Sequence, residues 1–565
     1  MGCCGRSAPN ASFAGLASVP ASPFGHTAAD SLAWRGALQG DDRRHASGSA
    51  AGLVFRDDDV AVAARRAVIA PPIDETPSRT PQRSKRTGSH CRGQILSYKA
   101  TARGASKPFF ESAEEESSSA VRTRLPNCCR SECAVNRRTL FRASAVLGAT
   151  ALGTARPAGA QPIPAPRKAS QFFHDADMNF VYLGMLGAAY YGATDVGTAL
   201  AIIDQTEDGN AASAFAALTS NGERVREMAD AALAAGHRAT AREAYLQASN
   251  YTFAATYFCD RMGAPDRLVP AWKRSRTALD AAFDLFDRPV ERIKIPYEGG
   301  ALPGYFFKVD DTGKQRPLLI LTNGSDGSVL DMLILSGAAG LDRGYNCLVY
   351  DGPGQGAALW EQHLTFRPDW EKVVTPVVDF ALRRREVDPQ RIALQGISQG
   401  GYWVPRAVAY EHRIAAAIAD PGVFDVSTSW TEHLPPQVIA LLDGGQKAQF
   451  DRVMTSVSAA QAKFAFRARP FGISSPFDLF TAVRAYTLAG VLDKVRCPVL
   501  ITDPDGEQFW PGQSRQVYDG LQSPKALVRF TVAEGADLHC EPLAPGLRAQ
   551  RIFDWLDTTL AKRSR

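Results

Sequence analysis

From residue 290 onward, short apolar runs alternate with stretches of helical character, and this alternation narrows the possible folds more than any other feature. The runs lie at 290–297, 303–309, 318–322, 346–350, 391–394, 415–419, 499–502 and 527–532. Several are unbroken rather than alternating, the pattern of parallel strands covered on both faces. Helical stretches separate most of them, which predicts a doubly wound, mostly parallel α/β sheet over 291–565. The interval 424–494 is too long for a simple crossover. It holds three helical pieces, at 437–442, 448–465 and 477–488, and is expected to be a helical lid inserted after the sixth strand. Upstream, 172–290 repeats apolar residues at a spacing of three to four, with a break at Gly236-His237. One helical pair there has some tetratricopeptide character, but no second copy follows at a period of about 34, so a packed helical domain is expected.

The formal net charge of +5 hides two unlike halves. Residues 1–160 carry 22 Lys+Arg against 13 Asp+Glu, leaving 42 against 46 for the rest of the chain. The basic excess is confined to the first part, so a nucleic-acid partner is not expected. No stretch reaches the roughly 18 unbroken apolar residues of a membrane span. Residues 1–135 lack a sustained period of 2 or 3.6 and read as a disordered or miscalled extension. Six of the ten cysteines fall there, without a second pair at zinc-finger distance, and no metal site is expected. Residues 136–160 then join Asn136-Arg137-Arg138-Thr139-Leu140-Phe141-Arg142 to a weakly apolar run and Ala158-Gly159-Ala160. This is the pattern of a twin-arginine signal peptide, which predicts export to the periplasm or beyond if translation starts near Val135, and a cytoplasmic protein otherwise. Peptides from 1–130 in the native protein would refute that start. No disulfide is expected among Cys259, Cys347, Cys497 and Cys540.

The chemistry centres on Gly396-Ile397-Ser398-Gln399-Gly400-Gly401, directly after the run at 391–394 and before a helical stretch. A G-x-S-x-G between strand and helix forces a sharp turn that pushes the serine hydroxyl into a cleft. A hydroxyl needs a base to act as a nucleophile at neutral pH. His539, after the last apolar run and 141 residues beyond Ser398, lies where such a base is expected. The acid that orients it should follow the seventh run, in Thr502-Asp503-Pro504-Asp505-Gly506-Glu507. Glu507 is in register; Asp505 is the main alternative, and Asp503, Asp420 and Asp425 stay open. An oxyanion would be held by the N–H groups of Gln399 and of Ser325, in the Gly-rich loop after the third run. The segment 351–357 is formally G-x-G-x-x-A, but it follows the fourth run rather than the first, and Pro353 removes a donor, so no nucleotide cofactor is expected.

These residues, with Gly236-His237-Arg238, Ala248-Ser249-Asn250-Tyr251, Ile295-Pro296-Tyr297-Glu298-Gly299, Leu302-Pro303-Gly304-Tyr305, Asp351-Gly352-Pro353-Gly354-Gln355-Gly356, Phe509-Trp510-Pro511 and His539-Cys540, resemble the α/β-hydrolase superfamily. The resemblance covers about 170–565. It is to the branch with an N-terminal helical domain that includes 2,6-dihydroxypseudooxynicotine hydrolase, fungal polyketide-shortening hydrolases and fermentation–respiration-switch-type esterases. It implies a serine hydrolase acting on an ester or amide, with cleavage of a C–C bond in a diketone, aryl ketone or polyketide as the alternative. A non-catalytic binding protein on the same fold is the other rival. Glu507 stands where the family usually has aspartate. Tyr251, Trp403, Phe509 and Trp510, with Trp430, are candidate substrate contacts for an apolar or aromatic small molecule, and a homo-oligomer stays open.

Overall fold

The computed structural model describes residues 170–457 and 464–561. The N-terminal extension and the twin-arginine segment lie outside the described residues, as do positions 458–463 of the expected lid. Eight strands form one sheet: β1 (Val290–Tyr297), β2 (Gly300–Phe307), β3 (Arg316–Thr322), β4 (Asn346–Tyr350), β5 (Val387–Ile397), β6 (Ala416–Asp420), β7 (Val499–Pro504) and β8 (Lys525–Phe530). Their order is β1-β2-β4-β3-β5-β6-β7-β8. β1 and β2 pair antiparallel, as do β2 and β4, and every later pairing is parallel.

The unbroken apolar runs are explained by what covers them. Leu319 and Leu321 of β3 join one apolar cluster, whereas Leu318 and Ile320 join the other. The first cluster fills the face covered by the C-terminal helix Pro545–Ala561 and by the helices that precede the sheet. The second lies under Glu371–Leu382, Gly400–Val408 and the segment between β6 and β7. A strand with apolar neighbours on both sides cannot show the in–out alternation of a half-exposed one.

Before the sheet come Ala176–Gly187, Val196–Asp204, Ala211–Ala234, Arg238–Ala254 and Leu268–Phe283. The expected break at Gly236 is a left-handed turn with φ of 81°. Met178, Tyr182, Leu218 and Ala241 of these helices share one continuous cluster with Phe307, Leu319 and Phe553. Between β6 and β7 run the helices Pro436–Asp443, Lys447–Ser456 and Pro476–Val483. The helix expected over 448–465 stops at Ser456, because Val457 turns extended with ψ of 98°. Strand ends shift as well. Tyr297 pairs with Gly300 across a two-residue turn, which starts β2 three residues earlier than its apolar run. The last run ends as a strand at Phe530, since Thr531 and Glu534 form a capping box that opens a short 3-10 turn.

Candidate active site

Ser398 occupies the step from β5 into the helix Gly400–Val408 and takes a left-handed φ of 58°. Its N–H donates to the Asp420 carbonyl at 2.7 Å, and its carbonyl accepts from Gly401 at 2.8 Å. The neighbouring glycines are required by contact. A Cβ on Gly396 would lie 2.2 Å from the Gly400 oxygen, and one on Gly401 would lie 1.8 Å from the Pro421 oxygen. Strand and helix therefore meet backbone to backbone, and the strained turn throws the hydroxyl outward.

The imidazole comes from the loop after β8. His539 Nε2 is 2.9 Å from Ser398 Oγ, and its Nδ1 is 2.8 Å from Glu507 Oε2. Both partners are nearly closed to solvent, with side chains 5 % exposed. Glu507 Oε1 also accepts the N–H groups of Phe509 and Trp510 at 2.9 and 3.1 Å, which fixes the plane of the carboxylate. The His539 N–H donates to Gln508 Oε1 at 2.9 Å. The other acids are engaged elsewhere. Asp505 pairs with Arg529 at 2.5 Å, Asp503 with Arg515 at 2.9 Å, and Asp425 accepts from Ser427. Asp420 lies buried against Thr502.

The loop after β3 runs against the serine: a Cβ on Gly324 would be 2.8 Å from that of Ser398. Asn323 Oδ1 accepts the Gly324 N–H at 2.7 Å, and the Ser325 hydroxyl donates to Asp326 Oδ1 at 3.2 Å. Two contacts that sequence reasoning missed hold this loop. Gln355 Nε2 donates to the carbonyls of Asn323 and Gly324 at 2.7 and 2.8 Å, and the Tyr257 hydroxyl donates to the Asp326 carbonyl at 3.0 Å. The signal for Gln355 was its place in the D-G-P-G-Q-G turn. That turn is filled by protein: a Cβ on Gly354 would meet Phe366 at 2.0 Å, and Asp351 is 2.9 Å from Arg276.

Ser325 borders a small cavity of about 40 Å³ between the preceding helices, this loop and the β6–β7 segment, which neither Ser398 nor His539 lines. Phe253, Trp272, Trp360 and Phe466 supply its apolar wall, and Asp326 and Arg467 its charges. Asp326 is exposed on this loop, and the protein crowded around it raises its carboxyl by desolvation, with Arg467, the Ser325 hydroxyl and His539 opposing. Burial likewise pulls the Arg467 guanidinium down.

The expected aromatic contacts divide. Phe509 packs edge-on to His539, with ring centres 4.7 Å apart, and Trp510 lies 5.7 Å away but is buried. Tyr251 and Trp403 correct the expectation: both are 0 % exposed and face the core. The Tyr251 hydroxyl accepts from the Asp195 N–H, and Trp403 stacks on Trp370. Trp430 is buried as well. Phe180, which sequence reasoning did not single out, sits 6.2 Å from the imidazole and 5.8 Å from Phe509. Among the described residues, no group of three or more His, Cys, Asp or Glu is arranged to hold a metal, and no helix is long and apolar enough to cross a membrane.

Comparison with known proteins places the site in context. A family model described as the prolyl oligopeptidase family matches residues 336–473. Hydrolase acrC of Aspergillus aculeatus is 31 % identical over 418 residues, 69 % of this chain and 96 % of that one. The 20-hydroxy-prefusarin hydrolase FUS2 of Gibberella moniliformis is 30 % identical over 414 residues, covering 70 % and 97 %. Among solved structures, the 2,6-dihydroxy-pseudo-oxynicotine hydrolase superposes with a TM-score of 0.52 at 20 % identity, over 66 % of this chain and 95 % of that one.

Proposed function

Because this chain belongs to the α/β-hydrolase family that includes those fungal hydrolases, we propose that it is a serine hydrolase of a small carbonyl substrate, with Ser398 as nucleophile. The observation that carries the reading is the unbroken path from Ser398 Oγ through His539 to Glu507, each step within 2.9 Å. In the first step His539 Nε2 takes the hydroxyl proton as Oγ bonds to the substrate carbonyl carbon, and Glu507 stabilises the imidazolium that results. The N–H groups of Gln399 and Ser325 hold the oxyanion. His539 then returns the proton to the leaving group, and water releases the acyl group by the same steps in reverse. Phe180 and Phe509, packed about the imidazole, support an apolar or aromatic acyl group.

One observation favours a second reading, hydrolysis of a C–C bond. A carbon leaving group must be protonated as it departs, and Asp326 presents a carboxyl of raised pKa to the cavity beside Ser325. Labelling by a serine-directed fluorophosphonate, with Ser398→Ala as control, tests the shared nucleophile. Absence of labelling in the intact protein favours a binding role. A panel of nitrophenyl esters, aryl amides and β-diketones then separates the two hydrolytic readings.

A further inference from the structure

Behind the imidazole lies a second pair of carboxyl groups that the proposed reaction leaves without a task. Asp420, the last residue of β6, and Glu541, two residues beyond His539, are both 0 % exposed. Each acts on the other's ionisation, which puts the two carboxyls in one buried cluster. Arg548, also 0 % exposed, places its guanidinium 3.8 Å from Asp420 Oδ2 and donates to the carbonyls of Cys540 and Leu335 at 2.9 and 2.6 Å. Thr502 Oγ1 donates to Asp420 Oδ1 at 2.9 Å. Among the described residues, Asp420 Oδ2 and both Glu541 carboxyl oxygens have no N–H or O–H to accept from.

Two carboxylates sealed beside one guanidinium cannot both ionise cheaply, because one negative charge would be left buried and unpaired. A single shared proton resolves this. Carried on Glu541 and donated to Asp420 Oδ2, it gives the orphaned oxygens a partner and leaves one negative charge facing one positive. Thr502 and Arg548 both favour the charge on Asp420, so the proton belongs to Glu541. Burial, reinforced by the Asp420 charge, holds the Glu541 carboxyl well above the ordinary range. The pair bridges both halves of the site. The Asp420 carbonyl accepts the Ser398 N–H at 2.7 Å, and the Glu541 N–H closes the turn around His539 by donating to Leu538 at 2.9 Å.

We infer that Asp420 and Glu541 form a proton-sharing clamp that positions His539 against Ser398, an inference that rests on the serine-hydrolase reading. Loss of the shared proton at alkaline pH sets two charges against each other where Cys540 and Glu541 already hold left-handed backbone, with φ of 57° and 45°. The imidazole then leaves its position. The other titratable or charged groups facing the pair are Glu507, His539, the Cys540 thiol and Arg548.

The test compares pH–rate profiles of the full chain, Glu541→Gln and Glu541→Ala on a nitrophenyl ester, with circular dichroism to verify folding. Glutamine keeps a neutral donor at all pH values. It is expected to stay within about threefold of wild type at pH 7 and to lose the alkaline fall in kcat. Alanine is expected to lose about thirtyfold or more in kcat with KM nearly unchanged. An alkaline limb that survives in Glu541→Gln, or a wild-type profile flat to pH 10, overturns the clamp. If Glu541→Gln does not fold, Asp420→Asn carries the same comparison. Fluorophosphonate labelling of wild type keeps the two claims apart: labelling with an unchanged Glu541→Gln profile defeats the clamp alone, whereas no labelling defeats the site reading first.

Discussion

Ser398 pairs a left-handed backbone with a hydroxyl 2.9 Å from His539 Nε2. If it is the nucleophile, Ser398→Ala should lower kcat on the order of 10⁶-fold, by analogy with triad deletions elsewhere. A loss below tenfold in steady-state assays would identify a different nucleophile. Glu507→Gln keeps the size of the side chain but cannot stabilise an imidazolium, and its amide can turn the ring to the wrong tautomer. A fall of about 10⁴-fold in kcat is expected, with little change in melting temperature. The equivalent substitution at Asp505 should leave kcat near wild type, because that carboxylate serves Arg529 at the surface. Residue identity alone could not separate the two acids, since both follow β7 within a few positions. The separation comes from the turn that hands Glu507 the N–H groups of Phe509 and Trp510.

Between elements, two side chains of one turn carry much of the organisation. Gln355 holds the loop that contains Ser325 by its Asn323 and Gly324 carbonyls. Gln355→Ala strips those buried acceptors of their donor, and a destabilisation of about 1–3 kcal/mol is expected. If the loop supplies the proposed oxyanion donor, kcat should fall by about 10-fold to 10²-fold, more than KM changes. Asp351, four residues earlier, is 2 % exposed and accepts from Arg276 of the helix Leu268–Phe283. Arg276→Met leaves that carboxylate buried without its cation. A loss of about 3–5 kcal/mol in urea unfolding is expected. A second tie joins the preceding helices to the β6–β7 segment, where Arg469 meets Asp260 through two bonds at 2.6 and 2.9 Å.

Across the molecule, the helices before the sheet draw on the same apolar cluster as β3, β4 and the C-terminal helix. Elements that share one core should unfold together. Urea transitions followed by far-ultraviolet circular dichroism and by tryptophan fluorescence are therefore expected to coincide. Two separated transitions would show that the helical layer folds by itself. The helical layer also brings Phe253 and Trp272, which form a smaller cluster with Ala357, to the cavity and Phe180 to the imidazole.

Local patterns were enough to read the eight strands and the serine turn. Each depends on neighbours in sequence: unbroken apolar runs report two-sided burial, and glycines flanking a serine report a tight strand-to-helix step. The choice of substrate-facing aromatics was not readable in this way. Tyr251 and Trp403 sit in motifs that look functional, yet both are packed away, whereas Phe180 and Trp272 carried no local mark. Nor could spacing reveal that Gln355 holds the Asn323 carbonyl or that Glu541 meets Asp420. Which face of an element meets which neighbour is settled by long-range packing, where burial and hydrogen-bond satisfaction are decided for the whole molecule at once.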